Sequence, residues 1–547
     1  MADGIRVPDK GALSTADKFL GVDSTGTTGL LAEGALAAQL KVPGKIVPIL
    51  YFDPIALSVA SEAARGDGAI WETVERHRYV EDSAATERYI QNGAGVRLRL
   101  LPDEEGRFPL DGLGVPTAAL FEFALSSGAH VLVRKSFTLD AEVNAPDGTE
   151  ISVASGVTIS KPSGNFFNPL GSFKLHQYGD FVGADDAAVV MAQVAQTTEV
   201  TIINSGGMCF NIRLFVSTAS ASGLSYSEID TSTDLIGPID IQNPQGICTT
   251  GSSAGPLVTF RYCRDAEVLG GHSDGYRHGF QAWGGDSNFN ADGVDFNAER
   301  KCKNISCIGF TGINIGSSLP FSGGGGWASM VDGLKINGCH FEPDESGGDV
   351  GLDFEGCFNA HANDNTVKDF KNGLCSTFFG CRDCSFDGNT GIQKMGFPVY
   401  RTYNSSANPD KQRTISVKNN VFSAYGPEDI GFDDRVAYAG GLSVTETTCV
   451  VENGTVYTAK ASEAPFTSPA TFDPAQWNEF GPDAYAKLDA NNGTIDGYYQ
   501  SGNTLRNIIT FRRNSFGSGG QTEITDDKHF FDTWLQPAGE QKHRTTI

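Results

Sequence analysis

The sequence predicts an all-β solenoid, a parallel β-helix whose coils each contribute three short strands. Three observations predict it. Glycine supplies 66 of 547 residues without a collagen-like period, so the chain must turn often, at positions needing positive φ or close backbone approach. A loose repeat of similar segments runs from Ile305 to Phe516, and such a period is the mark of stacked units. Hydrophobic residues make up 39% and charged residues 20%, which suits a folded core, while the length exceeds that of one ordinary compact domain.

The formal net charge is −25. A nucleic-acid binder carries the opposite balance or a dense basic stripe, and here basic residues occur as isolated pairs such as Arg97 with Arg99 and Arg512 with Arg513. Nucleic acid is therefore not an expected partner. Acidity also argues against a strongly anionic ligand, unless binding is local or cation-assisted. No apolar run approaches the roughly twenty residues that cross a bilayer, and the start Met1-Ala2-Asp3-Gly4-Ile5-Arg6 lacks a secretion-signal pattern. The expectation is synthesis in a cytoplasm and no membrane insertion. The 11 cysteines, all from Cys209 onward, do not form the framework of a small disulfide-stapled domain.

Along the chain, residues 1–113 read as a separate N-terminal region of mixed structure. Asp17-Lys18-Phe19-Leu20-Gly21-Val22-Asp23 leads into a Gly/Thr turn, and a helix is expected near Glu33 to Leu40. Two further helices are expected, from Pro54 to Ala64 and from an Asp82 cap to Ile90. Val96 to Leu101 alternates as a strand. From Pro116 to Ser126 the pattern is a short amphipathic helix burying Ala119, Leu120 and Phe123. Strands follow at Val131-Leu132-Val133, Phe137-Thr138-Leu139 and Ile151-Ser152-Val153, with a turn at Pro146-Asp147-Gly148-Thr149.

The repeat has six members, starting at Ile305, Leu334, Ala360, Cys384, Ile415 and Ile509. Most share an apolar-x-apolar start and an Asn near the sixth position, as in Ala360-His361-Ala362-Asn363-Asp364-Asn365. The first four recur at roughly 24 to 29 residues, a solenoid spacing. One such unit cannot bury its apolar face alone, so neighbours must stack, with strands about 4.8 Å apart. Asn suits a turn needing left-handed backbone and offers an amide that bonds between coils. The β-helix thus spans 114–450 and closes with its last coils and tail at 483–547. Residues 451–482 interrupt it as a compact β insert containing Tyr457 and Trp477.

The helix at 116–126, the Val-rich strand and the Pro146-Asp147-Gly148-Thr149 turn resemble the opening of the pectate-lyase-like right-handed β-helix fold. Phe19-Leu20-Gly21-Val22-Asp23 resembles adaptor segments of bacteriophage tail proteins. In the insert, the order Gly-x-x-Tyr, Pro and Pro-x-x-Trp resembles small carbohydrate-binding modules, though the two aromatics equally fit a hairpin mini-core. The resemblance implies a phage tailspike: a virion tail protein, homotrimeric, joined to other tail proteins through residues 1–113, binding and often cutting a bacterial surface polysaccharide. No cofactor is implied.

Cutting a glycoside needs two carboxyl groups, and two places offer them. Asn290-Ala291-Asp292-Gly293-Val294-Asp295 resembles a catalytic motif of polygalacturonase-like hydrolases, with Asp292 as acid and Asp295 beside it; the partner motifs do not follow downstream, and Asp-Gly is also a common turn. In Asp349-Val350-Gly351-Leu352-Asp353-Phe354-Glu355, alternation sends Asp353 and Glu355 outward together, with Cα atoms about 6.6 Å apart. Like charges so close raise one pKa, as a general acid requires; an ordinary solvated face is the plainer alternative. His272, Tyr276, Arg277 and His278 form a third group, suited to sugar contact or to lyase chemistry. Cys381-Arg382-Asp383-Cys384 has zinc-like spacing but no second pair, so no metal is expected, and Gly323–Gly326 reads as a flexible turn. Glycoside hydrolysis is favoured; the alternatives are a non-catalytic adhesin, a structural tail component and a polysaccharide lyase.

Overall fold

A computed structural model describes strands at Lys18–Val22, Thr28–Ala32, Ile46–Pro48 and His543–Thr546 and most of the chain from 54 to 530. Between 54 and 530 the longer segments outside the description are 205–211, 216–229, 286–298, 404–411, 426–435 and 514–521. The chain divides into two compact units, Met1–Lys135 and Ser136–Ile547.

The first unit carries a five-stranded sheet built from Ile46–Pro48, Ile70–Glu72, Arg78–Glu81, Arg97–Leu100 and Tyr89–Gln91. Lys18–Val22 and Thr28–Ala32 pair antiparallel as a hairpin. The helix expected near Glu33 to Leu40 lies outside the described residues. The helix expected from Pro54 stops at Val59. The helix expected after Asp82 is absent: Asp82 caps a turn instead, accepting from the Ala84 N–H at 3.1 Å. Arg88 then takes positive φ, and Tyr89–Gln91 pairs antiparallel with Arg97–Leu100. Hairpin pairing between two alternating segments outweighs the local helical pattern there. The helix at Ala118–Leu125 forms, capped by Thr117, but buries Ala118, Phe121, Ala124 and Leu125 rather than the expected face. Both sides of this segment are apolar, so periodicity does not choose between them; Phe123 packs edge-on against Tyr89 at 5.8 Å.

The second unit is a right-handed parallel β-helix. One coil shows the design: Val331–Asn337 lies in the first wall, His340–Pro343 in the second, Val350–Glu355 in the third. Among the described residues the second and third walls hold nine and 11 strands. Along the first wall one inward column runs Ile239, Ala266, Ile305, Leu334, Ala360, Cys384, Ile415 and Tyr498 in parallel register, and each is buried. Five of the six repeat segments therefore stack as expected. The sixth does not. Ile508–Arg513 belongs to the third wall, and its expected place is filled by Ile495–Ser501; an apolar-x-apolar start serves either wall, so the motif alone does not identify the wall. From the third wall Phe354 stacks on Phe386, and Tyr400 on Tyr498, at 4.9 and 5.7 Å, filling the coil interior.

The turn between first and second walls divides the two tasks expected of Asn. Positive φ falls on Gly338, Asp364, Gly388, Asn419 and Gly502. The next residue in the last four of these turns is Asn365, Asn389, Asn420 or Asn503, each at most 1% exposed. Each amide donates to the next at 2.9, 3.0 and 2.9 Å, and the Asn503 amide donates to Asp527 at 3.0 Å.

Gly323–Gly326 is largely strand rather than turn, because Gly324–Ser329 joins the third wall. A Cβ on Gly325 would meet the Gly351 carbonyl at 2.4 Å and Phe341 at 2.6 Å; one on Gly351 would meet Val367 at 2.1 Å. Only glycine lets the wall approach the core this closely at the corner.

The insert comprises strands between Val436 and Pro482, starting ahead of the expected Val451. The coils continue across it: Tyr400 pairs with Leu488, Ile415 with Tyr498 and Val421 with Thr504. The ten described cysteines are free and buried, Cys381 and Cys384 among them, as small apolar side chains.

Candidate functional site

The strands of the third wall lie in register, so side chains from successive coils form columns on its outer face. One column runs Gln281, Trp327, Asp353, Ser376 and Arg401. Beside it runs Trp283, Ser329, Glu355 and Phe378. The pleat that turns Val350, Leu352 and Phe354 into the core turns Asp353 and Glu355 the other way. The carboxylate pair expected from alternation thus sits on one wall, between a tryptophan and a serine.

Asp353 is only 5% exposed. Burial pushes its carboxyl well above the usual carboxylate range, and the neighbouring Glu355 and Asp349 push the same way. A hydrogen bond donated by Ser376 Oγ at 2.5 Å and the charge of Arg401 pull it back in part. The balance leaves the Asp353 carboxyl raised, which favours the protonated form, the one that can donate a proton. Asp349 accepts from Asn372 and lies 4.0 Å from Arg401. The Arg401 guanidinium stacks over Phe378 at 5.4 Å.

His278 enters the same wall by another route. Its ring stacks on Trp327 at 5.4 Å and 24°, and its Nδ1 accepts the Gly324 N–H at 2.9 Å. Burial, with the charge of Arg277, holds it down to about 3, so the ring is neutral and the fitting tautomer carries its proton on Nε2. It braces Trp327; it does not act as a cation. Upstream, Arg261 lies over Trp283 at 3.6 Å. The wall therefore combines partly exposed aromatic faces and guanidinium groups with one raised carboxyl, while Ser329 and Ser376 are buried beneath it and bonded within the protein: surfaces for sugar C–H faces and polar groups beside a proton donor.

The group from His272 to His278 does not converge. His272 stands in the second wall, Tyr276 points inward at 1% exposure, and Arg277 with His278 lead into the third wall. Tyr276 as a sugar contact is corrected: the corner between walls turns its ring into the core. Trp477 needs the same correction. It is 3% exposed in the mini-core of the insert, packed with Val444, Val450 and Ala459 and at 5.6 Å from Phe466, because so small a sheet needs large rings to close it. Tyr457 packs partly buried against that core, 4.6 Å from Phe472. Asp292 and Asp295 lie outside the described residues. Glu75, His77 and Asp111 in the first unit place ligand atoms within 4.8 Å of one another. Arg134 and Lys135 already meet those carboxylates at 3.3 and 2.8 Å, so the charges are paired within the protein.

Trp327, Ser376 and Arg401 were not singled out from sequence. Each comes from a different coil, joined to Asp353 by register alone. Trp327 carried one signal, its place directly after the glycine run.

No protein-family model matches the chain, and no curated protein does. Among solved structures it is similar to PfbA, a surface adhesin of Streptococcus pneumoniae, at 9% identity and TM-score 0.40, over 77% of this chain and 90% of that one. It is also similar to the mannuronan C-5 epimerase A-module of Azotobacter vinelandii, at 9% and 0.38, over 77% and 98%. The tailspike protein of an Acinetobacter phage gives 11% and 0.37, over 91% and 72%. The fold of this chain stands on its own strand order.

Proposed function

We propose that the chain is a phage tailspike-type receptor-binding protein whose third wall binds a bacterial surface polysaccharide and cuts it by glycoside hydrolysis. The observation that carries the reading is the buried Asp353, its carboxyl raised and held by Ser376, beside Glu355 in a wall that also presents Trp327 and Arg401. Asp353 donates its proton to the glycosidic oxygen as the bond to the sugar breaks. Glu355 takes a proton from the attacking water, which adds to the sugar from the opposite side. Side chains two apart on a strand leave the same face, and the reaction proposed is the inverting one, in which that water fits between acid and base. Trp327, steadied by His278, holds a sugar face.

The proposal extends to a homotrimer in the virion tail, attached through the N-terminal region; the adaptor-like stretch at Phe19–Asp23 supports that part. Purified full chain incubated with capsular or O-chain polysaccharide tests the activity. Falling polymer size with new reducing ends supports hydrolysis. Absorbance from an unsaturated product would replace it with a lyase, and binding without shortening would leave an adhesin.

A further inference from the structure

On the premise that the third wall is the polysaccharide site, we infer that its substrate is anionic, and that Arg401 reads a sugar carboxylate, as of a uronic acid, next to the bond that is cut.

A chain with net charge −25 repels a polyanion at long range, so such a ligand needs a local cation in the site. Arg401 is that cation. It stands two coils from Asp353 in the same column, about 10 Å along the stack. Its side chain is 27% exposed, and stacking on Phe378 fixes the plane of the guanidinium. Its Nε–H is buried and has no acceptor among the described residues. The nearest carboxylate, Asp349, lies at 4.0 Å, beyond a hydrogen bond, and already accepts from Asn372. A buried donor without a partner is costly, and a planar fork of N–H groups matches a carboxylate better than a hydroxyl. No other cation stands in the column from Gln281 through Trp327, Asp353 and Ser376 to Arg401. Asp349 is the anion that faces it, at the limit of an ion pair and outside hydrogen-bond distance. Arg261 over Trp283 places a second guanidinium upstream on the same wall.

The test takes the full chain and a panel of capsular and O-chain polysaccharides, half containing uronic acids and half neutral. Each bound polymer is also reduced at its carboxyl groups to the neutral sugar. The inference predicts binding confined to the uronate members. It predicts binding about 10- to 100-fold weaker after carboxyl reduction, as for a hydrogen bond to a charged group. Arg401→Gln should weaken binding of the intact polymer by the same factor and leave the reduced polymer unchanged, so that the two losses do not add. Arg401→Lys should recover part of it, and unchanged thermal melting excludes misfolding. Binding of neutral members, or additive losses from the two changes, would overturn the inference and leave the polysaccharide reading intact. Binding to no member would instead overturn that reading.

Discussion

The asparagine turn and the Asp353 wall both bury polar side chains, and they differ in how those groups are satisfied. In the turn, each Asn repeats the bonds of the last. Asn389 donates to the Asn420 amide at 3.0 Å and to the Ala362 carbonyl at 2.9 Å, and accepts from the Asn365 N–H and amide at 3.0 and 2.9 Å. Coil follows coil, and every donor finds its acceptor. On the wall, Asp353 takes one hydrogen bond from Ser376 and faces two like charges. Neither the tryptophan before it nor the arginine after it repeats. In a solenoid, a buried polar group that recurs is holding the stack together. One that breaks the recurrence, and sits where the chain does not satisfy it, is set for a ligand.

Asp353→Asn keeps the shape but removes the proton, so cleavage should fall about 10²- to 10⁴-fold while polymer binding survives. Its denaturant midpoint at neutral pH should hold or rise, since a carboxyl with a raised value must take up a proton to be buried and an amide need not. Loss of fold would instead make Asp353 a structural residue. Asn389→Leu should do the reverse. It strands the Asn365 amide and N–H and the Ala362 carbonyl, costing about 3 kcal/mol or more, seen as a lower denaturant midpoint with an unchanged rate per folded molecule. A neutral effect would remove the ladder from the account.

Acid pH separates Asp353 from a second buried acid, Asp111. His77 at 3.2 Å and Arg134 at 3.3 Å hold Asp111 down to about 2 against its burial. A depressed carboxyl stabilises above its unfolded value, near 4, and that stability, about 2 kcal/mol, is lost as pH falls towards 2. Asp353 has the opposite sign: its raised value means the protein gains relative stability as pH falls through it. Denaturant unfolding across pH should show Asp111→Asn flattening the acid loss, and Asp353→Asn removing the acid gain. Smallest is Ser376→Ala. Deleting the one hydrogen bond that lowers the Asp353 carboxyl should move the basic limb of the pH–rate profile upward; a downward shift would contradict the role given to that bond.

The first wall was legible in the sequence, and the third only in part. Ala360-x-Ala362 and Ile415-x-Val417 alternate cleanly, and their Asn recurs six residues in, so the stack could be read from the repeat. Asp353 and Glu355 were legible for the same reason, flanked by apolar Leu352 and Phe354. Arg401 and Ser376 were not, because no local pattern links them to Asp353; they meet through pairing across coils of unequal length. Tyr276 and Trp477 misled because an aromatic in a polar stretch reads alike whether it faces solvent or closes a corner.

The most direct test of the wall is the chain length of a bacterial surface polysaccharide after incubation with the wild-type protein and with Asp353→Asn in parallel, with binding measured on both. Shortening and new reducing ends with wild type alone, at equal binding, is the predicted result. Equal shortening by both proteins would contradict it.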